Sequence, residues 1–145
     1  MINDVLITYS GGDQSAPVLT GILPTGQTGI NACLSAAPTG PSESDIAALY
    51  TDNCGIVHVT KSGAPAGTNC DWTATYTYHI TDDCGNAVAS DVVITYSGGD
   101  QTAPTITCPS FTSNNANRNT NAANCTYLAS NGEFNASATD NCSTA

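Results

Sequence analysis

Residues 4–20 read DVLITYSGGDQSAPVLT and residues 91–107 read DVVITYSGGDQTAPTIT, thirteen of seventeen positions identical at an offset of 87. A shorter echo, TDNC at 51–54, returns at 139–142. A period of about ninety residues suits one whole β-sandwich domain and is far too long for one turn of a solenoid. The repeat therefore divides the 145 residues before any strand is placed. Residues 1–13 read as the last strand of a preceding repeat plus its linker. Residues 14–102 read as one complete repeat, and residues 103–145 as the N-terminal part of a following one.

Inside the complete repeat the apolar pattern has period two. Trp72, Ala74, Tyr76, Tyr78 and Ile80 alternate with Thr73, Thr75, Thr77 and His79, which predicts a half-buried antiparallel strand over 72–80. A turn at 81–86 and a second strand running to Tyr96, with Val92, Ile94 and Tyr96 on one face, complete a hairpin. Shorter strands are expected over 56–61, 18–23 and 30–36. The one helical stretch is 42–50, where Ser42 and Asp45 have capping-box spacing and Ile46, Leu49 and Tyr50 share a face. Many short strands with Gly, Pro and Asp turns predict an all-β fold of immunoglobulin-like antiparallel β-sandwich repeats in tandem.

Composition then narrows the setting. Twelve acidic residues against Lys61 and Arg118 leave a net charge of −10. Nucleic acid and anionic membrane are bound by clustered Lys and Arg, so neither is expected as a partner. No apolar run approaches the ~20 residues needed to span a bilayer, so no membrane insertion is expected. Seven cysteines predict an oxidising, extracellular or cell-surface location. The start MINDVLITYS has neither a basic nor an apolar region of a secretion signal, which places the expected signal upstream.

The run Ala103-Pro104-Thr105-Ile106-Thr107-Cys108-Pro109, with Thr139-Asp140-Asn141-Cys142 downstream, resembles the opening half of a hyalin-repeat domain. Residues 76–86 followed by 92–100 resemble the closing hairpin of the same group of immunoglobulin-like modules. The resemblance implies tandem modules of long bacterial extracellular surface proteins. The complete repeat departs from that pattern by reading Thr20-Gly21 where Thr-Cys-Pro would stand, and by adding Cys70.

With strands in an immunoglobulin-like order, Cys54 and Cys84 fall in loops at one end, and Cys33 and Cys70 at the other. Disulfides Cys54–Cys84 and Cys33–Cys70 are expected to staple the sandwich. The hyalin-like analogy favours Cys33–Cys54 instead. At the end carrying Cys54 and Cys84, the loops and the incoming linker also bring Asp13, Asp52, Asp82 and Asp83. Carboxylates so grouped would hold Ca²⁺, a hard ion wanting six to eight oxygens. Asp100 and Asp140 repeat the arrangement one domain later. Against this stands the ordinary use of Asp, an Asx-turn to its own loop.

Other motifs say less. His58 and His79 are expected nearly opposite one another on neighbouring strands. Sequons begin at Asn124, Asn135 and Asn141, at the frequency that so Asn-, Ser- and Thr-rich a chain produces by chance. Cys-x₂-Cys spacing is absent, and no nucleophile–base pair, phosphate loop or carboxylate dyad marks a catalytic site. The expectation is a non-enzymatic structural segment of an extracellular stalk or filament. Its partners are identical chains or further repeats, head to tail. The alternative is an adhesin-type module that recognises glycan or a surface protein through its loops.

Overall fold

Burial alternates most strictly where the sequence alternates most strictly. In a computed structural model that describes residues 6–108 and 136–142, strand Trp72–Thr81 buries every second side chain. Trp72, Ala74, Tyr76, Tyr78 and Ile80 are each at most 4% exposed. The described strands are β1 (Val18–Leu19), β2 (Ile30–Asn31), β3 (Tyr50–Thr51), β4 (His58–Ser62), β5 (Pro65–Gly67), β6 (Trp72–Thr81), β7 (Val92–Gly99), β8 (Thr105–Thr107) and β9 (Ser137–Thr139). The helix α1 spans Glu43–Ala47. They fall in two compact units, within 1–99 and within 100–145.

The first unit is built on a five-stranded sheet in the order β2-β7-β6-β4, with β5 also on β6. The pairs His58↔Thr81, Ser62↔Thr77 and Pro65↔Ala74 keep one register, so β4 and β5 form a single interrupted arm of a hairpin with β6. The turn closes where Thr68 N–H donates to Asp71 C=O at 2.8 Å. Strand β7 follows antiparallel, and β2 lies parallel on its far side. A separate ladder joins β1 to β3.

The buried face of β6 is covered largely by the chain between 30 and 50. Ile46 of α1 is fully buried, and Ile30, Ala32, Leu34, Ala37, Leu49 and Tyr50 pack on the same core. Three aromatic side chains fix this cover by their polar tips. Trp72 Nε1 donates to Ala32 C=O at 2.8 Å, Tyr76 Oη to Pro38 C=O at 2.9 Å and Tyr78 Oη to Pro41 C=O at 2.9 Å. Buried Tyr and Trp need such partners, and here the partners belong to an irregular segment. Lys61 Nζ completes the cover by donating to Thr39 C=O and Pro41 C=O above the Tyr76 and Tyr78 rings. The fold is all-β in its framework. One layer is a sheet, while the other combines the short β1–β3 ladder, a helical turn and hydrogen-bonded loop.

Where strands are shorter than expected, a competing hydrogen bond is visible. Thr20 and Gly21 N–H both turn to Leu49 C=O, which ends β1. Ala36 N–H closes a 3₁₀ turn on Cys33 C=O after β2. Ile56 N–H goes to the Asp83 carboxylate at 3.0 Å, so β4 begins later. The helix is as expected at its start, with reciprocal Ser42–Asp45 capping.

The disulfide expectations are corrected. Cys54, Cys70 and Cys84 are exposed free thiols, so neither Cys54–Cys84 nor Cys33–Cys70 forms, nor does the rival Cys33–Cys54. Between the Cys54 and Cys84 loops stands the Asp83 carboxylate, 2.6 Å from where a Cβ on Gly55 would be. It bridges the loops through Ile56 and His58, leaving both thiols in solvent. Cys70 sits in the 68–71 turn, and it is the neighbouring Asn69 that reaches the other chain segment, accepting from Leu34 N–H at 3.1 Å. Cys33 is disulfide-bonded. The histidines are not opposite either. His58 pairs with Thr81 and His79 with Thr60, and each imidazole meets its own carboxylate, Asp83 and Asp91.

In the second unit β8 pairs antiparallel with β9, Ile106 opposite Ala138. Cys142 is disulfide-bonded and Cys108 is free. Cys125 and the sequons at Asn124 and Asn135 lie outside the described residues.

Candidate metal centre

Three chain segments end within reach of one another at one edge of the first unit. Asp13 lies in the segment before β1, Asp52 directly follows β3, and Asp82 directly follows β6. Each is placed by local turn chemistry. Asp13 Oδ1 accepts from Ser15 N–H at 3.0 Å, and Asp52 Oδ2 from Cys54 N–H at 2.9 Å, both Asx-turns. After β6 the chain reverses through 82–86. Asp82 Oδ1 accepts from Asn86 N–H at 2.8 Å, and Gly85 takes φ +87°, a left-handed conformation that favours glycine.

Two asparagines lock the segments together. Asn53 Nδ2 donates to Asp13 Oδ1 at 3.2 Å. Asn86 Nδ2 donates both to Asp82 Oδ2 at 2.6 Å and to Asp13 C=O at 3.2 Å. Neither asparagine was singled out by the sequence, although TDNC recurs and Asn86 closes a DDCGN turn. The result places one carboxylate oxygen from each of Asp13, Asp52 and Asp82 within 4.8 Å of the other two. Asp82 is 3% exposed. Asp13 Oδ2 and Asp52 Oδ1 are closed off from solvent and accept no hydrogen bond. Hydrogen bonds from Ser15 N–H, then from Asn53, hold the Asp13 carboxyl below the usual carboxylate range.

The fourth expected carboxylate stands apart. Asp83 points to the opposite side of its turn, toward Ile56 N–H and His58. The His58 hydrogen bond, then that of Ile56, lowers its carboxyl. Adjacent residues after a strand diverge, and Asp82 alone turns inward.

The second unit repeats the linker geometry. Asp100 Oδ1 accepts from Thr102 N–H at 2.9 Å and from Asn141 Nδ2 at 3.3 Å. Asp140 Oδ1 accepts from Cys142 N–H at 2.9 Å. These are the bonds made by Asp13, Ser15, Asn53, Asp52 and Cys54. Asn141 Nδ2, the atom a glycan would occupy, is thus engaged in the turn. Donors that are all oxygen suit a hard cation and not a thiophilic one. Comparison with protein-family models, with curated proteins and with solved structures finds no match to this chain.

Proposed function

We propose that this chain is a segment of a tandem-repeat stalk or filament outside the cell, in which immunoglobulin-like repeats follow one another head to tail. The observation that carries this reading is one sequence in two environments. In residues 91–99 the DVVITYSGG segment supplies β7, and Ile94 is 2% exposed between β2 and β6. In residues 6–12 the same residues form no strand. Ile7, the counterpart of Ile94, is 66% exposed, while Leu6 and Tyr9 are about nine-tenths exposed.

The glycines say the same. A Cβ on Gly98 would lie 2.1 Å from Ile30 C=O, and one on Gly99 would lie 2.0 Å from Cys70 C=O. Their counterparts Gly11 and Gly12 have nothing within 4 Å. A segment with the apolar face and the bare glycines of a central strand is suited to a sheet of its own kind, supplied by a preceding repeat. Head-to-tail contacts of that type propagate and do not close.

The adhesin alternative gains no particular support, since Trp72, Tyr76 and Tyr78 are spent in the core. Sedimentation and electron microscopy of the purified chain test the reading. Concentration-dependent, end-on association is expected. A monodisperse monomer at all concentrations, with residues 6–12 resisting proteolysis, would contradict it.

A further inference from the structure

We propose that Asp13, Asp52 and Asp82 form a Ca²⁺ site that fastens the linker ahead of β1 to the loops after β3 and β6. The first support is convergence. Oxygens on one Ca²⁺ lie roughly 2.3–2.6 Å from the ion, so no two stand more than about 5 Å apart. The three carboxylates meet that condition, with one oxygen each within 4.8 Å of the others.

The second support is independent of the clustering. Asp13 Oδ2 and Asp52 Oδ1 each have less than 1 Å² of exposed surface and no hydrogen-bond donor. A carboxylate oxygen withdrawn from water without a partner is strongly unfavourable, and a cation relieves it. Asp82 is almost wholly buried beside them, and among the described residues its side chain accepts from Asn86 alone. No side chain supplies the missing positive charge among the described residues. Their one Lys or Arg is Lys61, which is held against Pro41 and the tyrosine rings.

Donor chemistry selects the ion. Carboxylates from three irregular segments offer hard oxygens in an adaptable arrangement, as Ca²⁺ accepts, without the nitrogen or sulfur that Zn²⁺ takes. Mg²⁺ demands a tighter octahedron and gives up its water reluctantly. The consequence rests on the tandem-repeat reading, in which such a clamp stiffens each junction. The binding itself stands on the carboxylates alone.

The test is calorimetric titration of the chelator-treated full chain with CaCl₂, with MgCl₂ in parallel, and amide NMR to locate the ion. Saturable Ca²⁺ binding is expected to move the signals of Ser15, Cys54 and Asn86, and to persist in excess Mg²⁺. Asp13→Asn and Asp52→Asn are expected to weaken it at least tenfold, while Asp83→Asn leaves it unchanged. Asp13 lies outside the described strands and the buried core, and Asn keeps its size and one acceptor oxygen, so the variant is expected to keep the fold. Absence of binding, shifts confined to other residues, or equal affinity in Asp13→Asn would overturn the site. Those results leave the association measured by sedimentation untouched, so the two readings fail separately.

Discussion

Lys61 shows how much one side chain does in a chain with almost no cations. Its ammonium satisfies two carbonyls of the covering loop and lies 4.5 Å from the Tyr76 ring centroid. Replacing it with Met keeps the aliphatic stem and removes the charge and donors. Charge-assisted hydrogen bonds and a part-buried cation–π contact lead us to expect a loss of about 1–3 kcal/mol in denaturant unfolding. A change within about 0.3 kcal/mol would show that the loop is held without it. Asp45 gives a pH signature. Hydrogen bonds from the Ser42 side chain, then its backbone, lower the Asp45 carboxyl from its ordinary 3.8. A depressed carboxyl contributes stability above its unfolded value and loses it as pH falls through the folded one. The Ser42 amide signal should therefore titrate on acidification with a midpoint below 3.8. A midpoint above 3.8 would contradict the capping box.

Elements divide into those set by pattern and those set by competition. The β6 face was legible because aromatic and β-branched residues alternate over its whole length. The α1 start was legible because capping is local chemistry. The cover of the β6 face was not, because a loop held by Tyr and Trp hydrogen bonds has no periodicity to read. Disulfide pairing failed for a related reason. It depends on where a turn points each side chain, and Asp83 rather than cystine bridges the two loops. Three of the four carboxylates expected together do converge, since the linker and loops share one end, while the Asn53 and Asn86 locks were not legible. Two substitutions probe the element scale. Ile46→Ala, at a fully buried helix position, is expected to cost about 2–5 kcal/mol. Gly98→Ala is expected to destabilise by about 1–3 kcal/mol by pushing β2 off β7. Gly11→Ala, in open space, should be neutral in the isolated chain. Equal effects of the two glycine variants would undo the distinction between the covered and bare copies.

For the whole molecule the decisive property is repetition. Two segments 87 residues apart place the same linker carboxylates on the same turns, and one strand sequence serves once inside a sheet and once outside it. With a net charge of −10, divalent ions bound at the proposed site would also offset the self-repulsion of neighbouring repeats in the proposed stalk. Small-angle scattering from chains carrying one to four tandem copies of residues 14–100 distinguishes a stalk from a globule. A stalk in Ca²⁺ requires a radius of gyration that rises in proportion to copy number. Growth as roughly the 0.38 power of chain length, the scaling of compact domains, would contradict the tandem-stalk reading.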